Sequence, residues 1–190
     1  HRWGNFWSAG AMWDITKERF MKDVKWMNKL QLKASYGSVG NSSGLSPYMA
    51  MGLVGTGPLY NGVGGTAVAN PANPDLTWEV VKSTNIAINT RMFNRVNLDV
   101  ELYNRATEDM LMDIPYSYTT GFSGGWGNVA SMRNKGVDVT ANFEILQDFH
   151  DIDWNISANL NYNENEITSL FNGMDEYVLA NTGLKLQVGK

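Results

Sequence analysis

From residue 152 to residue 163 apolar and polar residues alternate without a break. Ile152, Trp154, Ile156, Ala158, Leu160 and Tyr162 form one set, and Asp153, Asn155, Ser157, Asn159, Asn161 and Asn163 the other. A period of two puts the sets on opposite sides of one extended strand. The same period recurs at residues 96–105, where Val96, Leu98, Val100 and Leu102 oppose Asn97, Asp99, Glu101 and Tyr103. It recurs at 136–145, where Val137, Val139, Ala141, Phe143 and Ile145 oppose Asp138, Thr140, Asn142 and Glu144, and at 29–37 with Leu30, Leu32, Ala34 and Tyr36. Residues 77–92 align Trp78, Val80, Thr84, Ile86, Ile88 and Met92, with Lys82 and Thr90 as blemishes, and residues 5–15 give a weaker sixth candidate. Residues 16–27 alone read as helical, with Phe20, Val24 and Met27 spaced three to four apart. The pattern predicts six strands and one short helix.

The predicted connections differ in length. Segments 38–76 and 106–134 are long, the first rich in Gly, Pro and Asn, whereas 93–95 and the stretch near 147–151 are tight, and 164–190 follows the last strand. Tight turns at one end and long loops at the other are the habit of an antiparallel transmembrane β-barrel. A soluble sandwich writes the same alternation, but with short connections at both ends. Aromatic placement sides with the barrel. Trp154 and Tyr162 bound the apolar set of the last strand, eight residues or roughly 26 Å apart at about 3.3 Å per residue. Tilted by about 40°, that covers about 20 Å, close to the ~25 Å apolar band that aromatic girdles flank. Six strands fall short of the eight at which single-chain barrels begin, so the reading is a partial segment of a larger barrel.

Composition changes little. The 190 residues are 43% hydrophobic and 18% charged, with seven Trp and a net charge of −4, which leaves no basic field for nucleic acid. Cysteine is absent, so disulfides and thiolate metal sites are excluded. No apolar run reaches the roughly 18 residues of a membrane helix, and mean hydropathy is −0.29; neither fact bears on a barrel, half of whose strand residues are polar.

Few residues offer chemistry. "GFSGG" (121–125) has the spacing of a hydrolase nucleophile elbow, with Asp138 and His150 following, but no strand enters it and no helix leaves it. "GVGGTA" (62–67) fits a dinucleotide fingerprint in letters only, since "NPANP" stands where the helix should begin. "DFHDID" (148–153) reads as a solvated acidic turn before it reads as a cation site. No catalytic residue, metal or cofactor is expected. Candidate substrate contacts are the loop aromatics Tyr116, Tyr118, Phe122 and Trp126, whose rings can stack on a ligand, and Asn155 and Asn159 on the polar strand face.

Several segments taken in order resemble one family: "LQLKASYGSVGN" (30–41), "NPDLTWE" (73–79), "TEDMLMDIPYSYTTGFSGGWGNVASMRNKGVDVT" (107–140) and "WNISANLNYNENEI" (154–167), preceded by "AMWDITKERFM" (11–21). Together they are similar to the C-terminal barrel portion of SusC/RagA-type TonB-linked transporters. The resemblance implies a place in the bacterial outer membrane, within a 22-stranded barrel that holds an N-terminal plug. It also implies a SusD-like surface lipoprotein as lid, and import of oligosaccharides or peptides in Bacteroidetes. Energy would come from the TonB complex, through parts absent from this chain. The plug and the TonB-contacting segment have no counterpart in these residues. The competing reading from the residues alone is a soluble β-sandwich that binds glycan.

Overall fold

The computed structural model describes residues 3–149, 152–179 and 183–190. Its strands are β1 (Trp7–Asp14), β2 (Met27–Asn41), β3 (Val54–Tyr60), β4 (Val63–Val68), β5 (Glu79–Met92), β6 (Val96–Pro115), β7 (Gly124–Phe149), β8 (Ile152–Ser169), β9 (Glu176–Val178) and β10 (Lys185–Gln187). One six-stranded sheet runs in the order β1-β2-β5-β6-β7-β8, and β3-β4 and β9-β10 form separate hairpins. Every neighbouring pair in the large sheet is antiparallel. All six predicted strands are therefore present and adjacent in the predicted sense.

The register joins the apolar sets into rows that cross the whole sheet. Trp13 pairs through Leu32, Ile88, Val100 and Val139 to Leu160. One row on, Ala11 pairs through Ala34, Ile86, Leu102 and Val137 to Tyr162. This face is not a core. Leu160 and Tyr162 are more than 60% exposed, and the buried hydrophobic residues among those described are Leu76, Ala130, Leu170 and Phe171, none of them in these rows. A sandwich covers such a face with a second sheet; among the described residues none lies over it. The apolar face is built to meet a non-aqueous solvent.

Two residues that break the sequence pattern are explained by position. Thr90 lies within the apolar face, where its hydroxyl donates to the Leu98 carbonyl at 3.3 Å. Lys82 lies at the rim of the band, in the row of Trp7, where its ammonium meets Glu108 Oε2 at 2.6 Å. Beyond Tyr162 the same face carries Lys135 and Glu164, 3.2 Å apart. The apolar band therefore stops sharply on the loop side.

Four predicted segments need correction. Residues 16–27 form no α-helix; the described turns are two 3-10 turns, Ile15–Lys17 and Arg19–Met21. A dozen residues make a marginal helix, and Thr16 Oγ1 instead accepts the Leu30 N–H at 2.6 Å, drawing the chain onto β2. Loop 106–134 is largely strand, because β6 runs to Pro115 and β7 starts at Gly124, and 164–190 holds the end of β8, which reaches Ser169, and the β9-β10 hairpin. Segment 38–76 contains the last residues of β2 and the whole β3-β4 hairpin. Above the apolar band neither sheet face meets lipid, so these strand extensions carry no lipid-facing alternation to read. At 26 residues, β7 far exceeds the 9–11 or so that a tilted strand needs to cross a bilayer.

The opposite end turns tightly. Arg95 N–H closes on the Met92 carbonyl at 3.0 Å, around Phe93 and Asn94 at φ 54° and 56°. Two positive-φ residues make the hairpin turn whose twist matches that of the strands. Phe93 takes this position although its side chain disfavours it; its ring stacks on Trp26 with centroids 5.7 Å apart, and its N–H donates to the Trp26 carbonyl at 2.7 Å.

Candidate functional site

Three surfaces follow from this frame: the apolar band, the polar face behind it, and the loop end. The rims of the band are aromatic. On β8 they are Trp154 and Tyr162; on β1 they are Trp13 and Trp7, whose ring lies 5.3 Å from Tyr36. The two rims sit at different heights in the register. Trp13 lies in the row of Leu160, not of Trp154, and Trp7 lies in the row of Glu166, not of Tyr162. The band therefore slips by about five residues over five strand-to-strand steps, roughly 16 Å along the strands for about 24 Å across them. That slope is a strand tilt of about 35°, inside the range of membrane barrels. A flat membrane edge crosses tilted strands in this way. The tilt was not visible in any one strand.

The polar face is a bonded wall. Asn161 donates to Asp138 and Asn89 to Asp99 across the ladders. Ser157 donates to Asn142 Oδ1 at 2.7 Å, and Tyr103 donates to Asn163 Oδ1 at 3.0 Å. Near the tight turns this wall opens into a hollow of about 560 Å³ lined by Arg91, Asn97, Asn142, Glu144, Asn155 and Ser157, among others. Arg91 Nη2 there reaches Glu144 Oε1 at 3.5 Å. Asn155 belongs to this hollow; Asn159 stands farther along β8, opposite Thr140.

The loop end is assembled by one clasp. Asn128 on β7 accepts the Thr77 N–H at 2.8 Å and donates to the Thr77 and Asp109 carbonyls at 2.8 and 2.7 Å. Asn73 Nδ2 adds a bond to the Trp126 carbonyl at 2.8 Å, and Glu79 accepts from the Leu111 N–H at 3.1 Å. Segment 42–78 is thereby laid against the β6-β7 hairpin. A pocket of about 190 Å³ remains between them, with Met49, Pro71, Asn73, Asp113, Ser123 and Trp126 in its wall. The Glu108 carboxylate, hydrogen-bonded to Lys82, raises that ammonium's pKa above its ordinary 10.5, so the Lys82 charge and its contribution are lost only as alkaline pH passes the raised value.

The four predicted aromatics gather here but in different roles. Tyr118 is 88% exposed and Trp126 45%. Tyr116 packs down, its hydroxyl 3.0 Å from where a methyl on Gly125 would stand, beside Pro71; Phe122 is half-buried. Asn155 and Asn159 are not brought to them. Asn159 pairs with Thr140, which lies roughly 46 Å along β7 from Trp126 at strand rise. Sequence alternation sets the face of these asparagines and not their height. Asp113, which pairs directly with Trp126, was missed; counting back across the hairpin from Gly124 would have found it.

The enzyme-like motifs come apart. Ser123 sits in the loop just before β7, whereas Asp138 lies far along that strand, roughly 50 Å away at strand rise. Asp138 is moreover bonded to Asn161 on the wall, and His150 lies outside the described residues. "GVGGTA" is the turn and second strand of the β3-β4 hairpin. Part of "DFHDID" also lies outside the described residues. Among the described residues no group of three His, Cys, Asp or Glu could hold a metal.

Comparison with known proteins agrees with this geometry. Residues 1–186 match the family model "TonB dependent receptor-like, beta-barrel". The chain is 35% identical to TonB-dependent receptor P39 of Formosa agariphila over 169 residues, covering 88% of this chain and 16% of that protein. It is 28% identical to TonB-dependent receptor SusC of Bacteroides thetaiotaomicron over 199 residues, covering all of this chain and 20% of that protein. A structure of the RagAB peptide transporter superposes with a TM-score of 0.86 at 39% identity, over 97% of this chain and 20% of that one. The chain thus spans a fifth or less of the relatives it matches, as six strands of a larger barrel do. The soluble-sandwich reading is set aside by the single-layered sheet and by these matches. TonB-dependent receptors are outer-membrane proteins and transporters rather than enzymes, and the chain belongs to their β-barrel family.

Proposed function

We propose that this segment is wall and outer loop of a TonB-dependent transporter that imports oligosaccharides or peptides beneath a SusD-like lipoprotein lid. TonB would drive it through parts outside this chain. The observation that carries the reading is the pairing of a lipid-type band with a hydrogen-bonded polar wall on the two faces of one sheet, topped by an ordered loop apparatus. Such a wall passes a solute and does no chemistry on it. The likeness to the RagAB peptide transporter supports peptide, and the likeness to SusC supports the same class of transporter.

Within this reading, the exposed aromatics Tyr118 and Trp126 touch substrate or lid. The test is uptake of labelled peptide and oligosaccharide mixtures by cells lacking the gene, complemented with the full-length transporter. Wild type restores uptake of one class. Tyr118→Ala with Trp126→Ala reaches the membrane at normal level but slows uptake roughly tenfold or more, at about 1 kcal/mol or a little over for each ring. Unchanged uptake in the double variant removes these rings from the site, and uptake of both classes without the gene contradicts the function.

A further inference from the structure

The pocket at the loop end has a chemical bias. Its wall pairs a carboxylate with an indole: Asp113 and Trp126 are directly opposed on β6 and β7, so their side chains share one face of the hairpin. Among the described residues the Asp113 side chain has neither a hydrogen-bond nor an ion-pair partner, whereas the pocket's two asparagines are committed, Asn70 to Leu53 N–H and the Met51 carbonyl. Asn73 donates to the Trp126 carbonyl and accepts from the Asp75 N–H. Met49 and Pro71 supply apolar wall and Ser123 a hydroxyl. No Lys, Arg or His occurs in residues 42–81 or 106–132, the segments that build this end, although they carry Asp75, Glu79, Glu108, Asp109 and Asp113. Glu79 and Glu108 are engaged, the first by Asn41 and Leu111, the second by Lys82. Lys82 also interacts with Asp109, which leaves Asp113 as the pocket's carboxylate without a cation against it.

We propose that this pocket is a subsite for the terminal amino group of a peptide, held by the Asp113 carboxylate against the face of Trp126. The proposal rests on the transporter reading and names its substrate class. A carboxylate and an aromatic face are the two groups that attract an ammonium, one by a charge-assisted hydrogen bond and the other through its ring quadrupole. A pocket of about 190 Å³ admits a chain end and not a folded chain. The same surface disfavours sulfated or uronate glycans, because their anions find no cation in these segments and meet like charge instead.

The test uses the purified full-length transporter with its lid and two probes, tetra-alanine amide with a free amino terminus and its N-acetylated form. In wild type the free form binds about tenfold tighter, the effect of one charge-assisted contact. In Asp113→Asn, a change that leaves the hairpin ladder intact, the two forms bind alike; Trp126→Leu narrows the ratio without abolishing it. Equal binding of both probes to wild type, or an unchanged ratio in Asp113→Asn, overturns the subsite while leaving the transporter reading in place. Binding of neither peptide by a preparation that binds a neutral oligosaccharide overturns the subsite and its peptide substrate together.

Discussion

The ring of Tyr103 on β6 lies across Gly136 on β7 and reaches β8, where its hydroxyl donates to Asn163 Oδ1 at 3.0 Å. A methyl group at Gly136 would collide with the Tyr103 hydroxyl and with the Tyr162 carbonyl. The Arg105 guanidinium covers the ring, 5.2 Å from its centroid. Three strands are thus tied on the polar face by one side chain, and the glycine is required by the space that this side chain and the Tyr162 carbonyl occupy.

Gly136→Ala is accordingly expected to push the ring off and lose the Asn163 bond, at about 1–3 kcal/mol for overpacking. Urea unfolding of the full-length barrel, followed by the heat-dependent shift of its gel mobility, should show the loss. Pairing the change with Tyr103→Ala should restore part of it, since the ring is then gone; no recovery would locate the clash in the Tyr162 backbone alone.

Asn128→Ala should release the loop end and spare the wall. It removes the bonds to Thr77 and Asp109, leaving backbone groups unpaired at about 1–3 kcal/mol where they stay shielded from water. Because residues 42–81 hold no Lys or Arg, trypsin cannot report on them; chymotrypsin, cutting after the exposed Tyr48, should cleave the variant in intact cells faster than wild type. Equal cleavage would mean that the other contacts suffice to hold the segment.

Sidedness follows from the same frame. Ser43, Ser123 and Asn94 all reach the surface, the first two at the loop end and Asn94 in the tight turn. With loops outside the cell, an impermeant maleimide should label Ser43→Cys and Ser123→Cys on intact cells and leave Asn94→Cys unlabelled until the outer membrane is broken. The reverse pattern would invert the topology.

How much the sequence disclosed depended on what each stretch touches. The faces of β8 were legible because its two sides meet different solvents, which forces a period of two. Residues 106–115 and 124–135 were illegible as strand because there neither side meets lipid, and ladder bonds constrain no side-chain pattern. The tilt needed the register, since only pairing relates Trp13 to Leu160. Asn128 gave no signal at all: an asparagine in "WGNVAS" becomes a clasp only when a segment far earlier in the chain is laid beside it.

The central claim is that β8 carries lipid on one side and water on the other. Nitroxide labels placed singly from Asp153 to Asn163 in the full-length protein, in bilayers, measure it through collisions with apolar oxygen and with a water-soluble nickel chelate. Positions 154, 156, 158, 160 and 162 should be oxygen-accessible, most strongly near the middle, while 153, 155, 157, 159 and 161 should favour the chelate. If the even positions are shielded from both reagents, they pack against protein, and the strand is not barrel wall.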